Sequence, residues 1–275
     1  MRKLTWLVSV SLALLVASCQ KPAQAPAKKP LLCYVGGTMR PAMEELAAAY
    51  LKKTGQEVQL DFADSGQCLV KIQQTHKGDL YVAHDPFGAA ARKQGLADES
   101  WVLATLTPVI VVPKENPKKI QRLDDLAQEG LKLGLTDAMY STLGHMLPGI
   151  LERSGLRGPI EKNVVTRSRS GGEVANAVGL GNLDAAVVWN AVAHLRQDRL
   201  VAVPIAQRLL PRADVDTITS ATYGPIDLAA IRVECCRLTC SEQPDASADF
   251  GRFLVSPQGR ECFNKYGFSP APNGK

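Results

Sequence analysis

From Leu31 onward, short apolar runs alternate with segments whose apolar side chains recur at helical spacing. This alternation constrains the fold more than any other feature. Strand-helix-strand units build sheets, here predicted to be parallel, whose two faces are both covered by helices. Residues 31–35 read as a buried strand ended by Gly36 and Gly37, and Met39, Met43, Leu46, Tyr50 and Leu51 then recur as a helix that stops at Thr54-Gly55. Thr38 is placed to cap that helix, with Pro41 in its first turn. The rhythm predicts strands at 58–62, 79–83, 108–112, 131–135, 163–166 and 184–189, with helices at 65–78, 86–95, 123–128, 143–153 and 172–180. Two further helices are predicted at 246–255 and 257–266.

Ahead of this unit lies a leader. Arg2 and Lys3 precede an apolar run over residues 4–17, too short to span a bilayer and shaped like an export signal. It ends in Val16-Ala17-Ser18-Cys19, small residues before a cysteine, as in a bacterial lipobox where Cys19 is acylated and becomes the first mature residue. An ordinary secretory signal with a chance cysteine is the alternative. Residues 1–18 are therefore expected to be a lipoprotein signal peptide, and 19–30, rich in Pro, Ala and Lys, a flexible tether.

The leader also accounts for the charge. The formal net charge of +5 equals the contribution of Arg2, Lys3, Lys21, Lys28 and Lys29, so residues 31–275 are neutral overall. With no dense basic run interleaved with aromatics, nucleic acid is not an expected partner. Apart from Cys19, the cysteines are Cys33, Cys68, Cys235, Cys236, Cys240 and Cys262. An even number in an exported chain favours disulfides, with free buried thiols as the alternative. The Cys235, Cys236 and Cys240 group lacks the matched pairs of a zinc ribbon, and no metal or cofactor is expected.

Four junctions place a small hydroxyl residue beside glycine where a helix begins: Gly37-Thr38, Ser65-Gly66, Ser141-Thr142-Leu143-Gly144 and Ser170-Gly171. A helix start offers unpaired N–H groups and partial positive charge, and in open α/β sheets ligands bind beyond the strand ends where such junctions fall. Each hydroxyl alone reads most simply as a cap; their recurrence in both halves of the chain points to a shared cage of donors for an oxyanion. No nucleotide-binding glycine pattern and no nucleophile-base spacing is present, so an enzyme is not expected. Arg40, Arg167 and Arg169 are expected on the rim, steering an anion inward. His84 reads as a hydrogen-bonding loop histidine, Met39 and Met43 as core, and Trp101 as packing between lobes.

The chain resembles the molybdate/tungstate-binding proteins of ABC importers, a branch of the type II periplasmic solute-binding proteins. The segments that carry the resemblance begin at Tyr34 (YVGGTMRPAMEEL), Phe62 (FADSGQ), Gly78 (GDLYVAHD), Asp184 (DAAVVW) and Phe253 (FLVSPQG). It implies a two-lobed α/β fold with a ligand cleft between mostly parallel, helix-flanked sheets. Lobe 1 is expected from 31–106 and 222–275, lobe 2 from 107–221, joined near 105–111 and 220–228. The resemblance further implies that neutral donors hold the anion: Gly37 and Thr38, Ser65 and Gly66, the backbone at Leu143, Ser170 and Gly171, and Trp189, where the family usually has tyrosine. The implied partners are the oxyanion cargo, a membrane ABC permease and, through Cys19, the cell-envelope membrane, with the protein a monomer. Sulfate, phosphate or a metal chelate in the same fold, and a cysteine-based metal-handling lipoprotein, are the alternatives.

Overall fold

The computed structural model describes residues 28–212, 217–220, 224–228 and 231–271. Cys19 and the leader, the tether up to residue 27, and parts of the second predicted crossing lie outside the described residues. The chain runs β1 (Leu31–Gly36), α1 (Arg40–Thr54), β2 (Val58–Ala63), α2 (Ser65–Thr75), β3 (Leu80–His84), α3 (Phe87–Lys93) and β4 (Ala97–Leu106). It continues through β5 (Pro108–Pro113), β6 (Leu133–Thr136), α4 (Thr142–Ser154), α5 (Arg157–Lys162), β7 (Val164–Ser168), α6 (Gly171–Gly179), β8 (Ala185–Trp189), α7 (Asn190–His194) and β9 (Leu200–Pro204). A two-stranded ladder of β10 (Thr217–Ser220) and β11 (Gly224–Asp227) precedes β12 (Ile231–Leu238), α8 (Pro244–Leu254), α9 (Pro257–Lys265) and β13 (Ser269–Pro270).

Two larger sheets result, in the orders β13-β4-β12-β3-β1-β2 and β7-β6-β8-β5-β9. The parallel expectation holds for β1 with β2 and β3, and for β6 with β7 and β8. It fails at β12, antiparallel to β3 and β4, and at β5, antiparallel to β8 and β9. The reason is topological: β4 and β12 connect the first sheet to the second and back, so they enter by crossing rather than through a helical return. Residues 123–127, predicted as a short helix, form a 3-10 turn.

Alternation along each strand divides the side chains. On β1, Leu31, Cys33 and Val35 join the large apolar core, while Tyr34 faces a smaller cluster with Leu69, Ile72 and Tyr81. Met39 and Met43 are fully buried, as predicted. Helix α1 ends where Gly55 adopts φ 70°, its N–H donating to Leu51 O at 2.8 Å. Trp101 corrects one expectation: it lies on β4 against Gly251 of α8, where a Cβ would overlap the indole. It thus packs within the body of the first sheet rather than between lobes.

The cysteines are a second correction. All six in the described residues are free thiols. Cys235 and Cys236 are neighbours on a strand and point to opposite faces, one into each core cluster. Cys68, Cys240 and Cys262 each donate to a different backbone carbonyl, of Val35, Gly78 and Ala42. Burial pushes the Cys68 and Cys262 thiols up to about 11 and Cys236 to about 12. No group of three metal-ligating side chains occurs among the described residues, and no described helix is long and apolar enough to cross a membrane.

A single residue, Thr107, separates β4 from β5. Its N–H donates to Asn190 Oδ1 at 3.0 Å, and its C=O accepts from Asn190 N–H at 2.9 Å. Asn190 Nδ2 donates in turn to Ser269 Oγ at 3.0 Å, which ties the start of α7 to the edge strand β13 of the first sheet.

Candidate functional site

Between the two sheets lies a cavity of about 850 Å³. Its walls come from the strand ends and helix starts of both bodies, as the β-α-β order dictates. Gly37, Thr38, Ser65 and Gly66 line it from the first sheet, and Ser170, Gly171 and Trp189 from the second. Seven of the eight positions singled out from the sequence therefore share one hollow. Leu143 does not line it. It is the second residue of α4 with its side chain fully buried, and the wall there is made by Met139, Tyr140 and the N-cap Ser141.

The local geometry differs from simple capping. Thr38 sits in a 3-10 turn, Gly37–Met39, and caps nothing, because α1 starts only at Arg40 with Pro41 in its first turn. Ser65 is the first residue of α2, and the N-cap is Asp64, whose N–H donates to Gln67 Oε1 at 3.4 Å. Both hydroxyls are thereby released from the capping role that the residue types suggest. Ser65 is 6% exposed, its carbonyl accepts from Tyr81 OH at 2.6 Å, and its Oγ has no hydrogen-bond partner among the described residues. Gly36 makes this placement possible, since a Cβ there would overlap Ser65 Oγ and come within 2.6 Å of Met39 Cε. Ser170 does cap α6: its Oγ accepts from Gly172 N–H at 3.1 Å, leaving its O–H to donate elsewhere.

Charge enters from Arg169, which the sequence reading placed on the rim, and from Arg196, which it passed over. Arg196 lines the cavity, donates through Nε to Asn176 Oδ1 at 2.6 Å and through Nη1 to Val192 O at 3.1 Å. Its Nη2 lies 3.2 Å from where a Cβ on Gly172 would stand, at the mouth of α6. Arg169 also lines the cavity, its guanidinium 4.1 Å from the Tyr140 ring centroid. Arg40 and Arg167, expected on the rim, are not on it. Arg40 stacks on Phe62 at 3.7 Å and pairs with Glu44 at 3.3 Å, while Arg167 pairs with Glu161. Lys71 lines the wall but is held by Asp61 at 2.7 Å. A helical reading from Trp189 would have found Val192 and Arg196, three and seven residues on, and the same spacing from Gln67 gives Val70 and Gln74 on the exposed face of α2.

His84 is not a loop residue. It ends β3, lines the cavity, and faces Phe87 and Trp189 with ring centroids 5.5 and 6.4 Å away. Its Nδ1 lies 2.8 Å from Asp85 O, the carbonyl that also accepts from Thr142 Oγ1 at 3.1 Å. The Asp85 carboxylate is clamped by Arg232 Nε and Nη2 at 3.0 and 3.3 Å. Burial holds the His84 ring below the usual histidine value, outweighing its hydrogen bond to Asp85.

The site is thus a hollow ringed by backbone N–H groups, hydroxyls and two arginines, with one apolar flank. Such a surface can hold and orient a small anion; it presents no nucleophile-base pair. Molybdate-binding protein ModA of Mycobacterium tuberculosis is 25% identical over 275 residues, 96% of this chain and 97% of its own. The sulfate-binding protein SubI of Mycobacterium tuberculosis shares the fold at TM-score 0.72 and 16% identity, over 90% of this chain and 88% of that one. PEB3 of Campylobacter jejuni, with L-phospholactate bound, does so at TM-score 0.69 and 20% identity, over 88% and 100%. The family model of bacterial extracellular solute-binding proteins matches residues 31–269, and the chain belongs to that family.

Proposed function

We propose that this protein captures a tetrahedral oxyanion of the molybdate or tungstate type outside the cytoplasm and delivers it to an ABC permease. The observation that carries the reading is the convergence of Gly37-Thr38, Ser65-Gly66 and Ser170-Gly171 on one cavity, with hydroxyl and N–H donors from both bodies. Donors that are unpaired in the free protein lose nothing when they turn to an anion, and an anion of the wrong size leaves some of them unsatisfied. The similarity to ModA of Mycobacterium tuberculosis supports molybdate as cargo. In this reading lobe 1 (31–106 and 222–275) closes on lobe 2 (107–221) over the bound anion, and Cys19 carries the lipid that keeps the monomer at the envelope membrane.

A second reading has one observation in its favour. A hollow of about 850 Å³ with Arg169 and Arg196 in its wall and Phe87, Trp189 and Val192 on one side also suits an oxyanion on a small organic body. The L-phospholactate in PEB3 is a cargo of that kind. Thermal unfolding with molybdate, tungstate, sulfate, phosphate and a phosphorylated hydroxy acid separates the two. A ligand at about a hundred times its Kd stabilises by about 2.7 kcal/mol. Molybdate or tungstate is expected to give the largest shift; stabilisation by the phosphorylated acid alone would replace the first reading with the second.

A further inference from the structure

His84 is the one imidazole on the cavity wall among the described residues. His84 Nδ1 faces a backbone carbonyl, which can only accept, so Nδ1 carries a hydrogen and donates to Asp85 O at 2.8 Å. The tautomer is set by that bond. Nε2 then bears the lone pair. It has no partner among the described residues, is not among the buried unsatisfied atoms, and belongs to a residue that lines the cavity. A cavity furnished mainly with donors therefore also contains a ring acceptor that can take up a proton. A dianion carrying no proton meets repulsion at that point unless the ring itself is protonated.

We propose that His84 contacts the cargo and couples capture of a proton-free dianion to uptake of one proton, held on Nε2 and donated to an anion oxygen. The step balances: the anion enters unchanged, a solvent proton adds to Nε2, and the bound ring is an imidazolium with both nitrogens donating. The inference rests on the oxyanion reading above.

The surroundings favour this coupling. Asp85 O is held from two directions, by His84 and by Thr142 Oγ1 of the second body, so a ring turned to offer Nδ1 to the cavity would give up that bond. The Asp85 carboxylate is engaged by Arg232, which also approaches Glu234 at 3.7 Å. From α2 the nearest acid is Asp64 at the helix head, and Lys71 is occupied by Asp61. Arg169 and Arg196 stand on the same wall, so a protonated ring would add to positive charge already there while the site is empty. Phe87 and Trp189 flank the ring without titrating. The free ring is neutral near pH 7, since burial lowers its pKa, and an arriving dianion reverses the balance.

The test is calorimetry of the full exported chain with molybdate and with sulfate, near pH 7.5, in buffers of differing ionisation heat. Wild type is expected to take up close to one proton per anion, and its Kd is expected to rise by about tenfold per pH unit within the coupled window. His84→Gln offers a donor without titration. It should bind with no proton uptake and a Kd flat in pH. NMR of the wild-type imidazoles, with His84 identified by its absence from the variant, should show its pKa raised when anion is saturating. Binding without proton uptake, or uptake that survives in His84→Gln, overturns this proposal and leaves the oxyanion reading standing. If neither anion binds, both fall.

Discussion

Replacing Ser65 by alanine separates a binding hydroxyl from a structural one. In the free protein Ser65 Oγ makes no hydrogen bond to a described residue, while the backbone beside it is anchored by Tyr81 OH on Ser65 O at 2.6 Å. Removing the hydroxyl therefore breaks no internal bond and leaves α2 with its Asp64 cap. The free variant should unfold within about 1 kcal/mol of wild type, as an alanine at the first helical position is well tolerated. Binding is a different matter. A hydrogen bond to a charged acceptor contributes about 1.5–3 kcal/mol, and each 1.4 kcal/mol is about tenfold in Kd. Ser65→Ala should thus weaken molybdate binding roughly 10- to 150-fold by calorimetry, with free stability read from urea unfolding. A Kd within twofold of wild type would remove Ser65 from the site. A large loss of free stability would show instead that the hydroxyl serves the fold.

Gly36→Ala should act on the same group from behind: its Cβ overlaps Ser65 Oγ, so anion affinity should fall at least as far as in Ser65→Ala, with a measurable drop in melting temperature as well. Arg196→Gln should slow anion association and flatten its dependence on ionic strength in stopped-flow traces, because a charge at the α6 mouth steers the ligand; an unchanged salt slope would argue against that role. With its His84 pKa lowered on folding, the free protein should lose stability as pH falls below the unfolded histidine value, where the unfolded chain binds the extra proton; His84→Gln should lessen that loss in unfolding titrations. Among the six described cysteines, thiol titration of the native protein should find Cys240, the one not buried, reacting readily, and the other five reacting only after unfolding.

Much of the fold was legible because two periods, two and 3.6, leave different marks on a chain. The helices at Met39-Met43-Leu46 and the strands at Leu31-Cys33-Val35 follow directly from them. What escaped were the strands β4, β9 and β12, which stand outside the strand-helix rhythm, and with them the pairing direction. Ile231-Arg232-Val233 has the composition of any half-buried strand, and only its position after the second sheet makes it antiparallel to β3. The disulfide expectation failed for a similar reason: counting cysteines says nothing of the strand parity that sends Cys235 and Cys236 to opposite faces. At the site, small hydroxyls beside glycine marked the helix mouths, and Gly37, Thr38, Ser65, Gly66, Ser170, Gly171 and Trp189 do meet at one cavity. Leu143 was carried by resemblance alone and sits behind the wall. Arg196 went unweighted and His84 was read as a loop residue, because a charge or ring that reaches a pocket from a neighbouring turn has no local signature.

The Thr107 junction has a mechanical consequence. With its N–H and C=O both committed to Asn190, this residue is tied to the second sheet, so in the proposed closure the boundary with Leu106 and the Asn190–Ser269 contact are the points of this crossing that would take up rotation. Asn190 directly follows Trp189, and the pivot and the cavity wall are therefore adjacent in the chain. In the closure proposed above, a small torsion at this pin would sweep the far rims through a long arc while Trp189 scarcely shifted, and the indole would serve as a fixed anvil for the opposing donors.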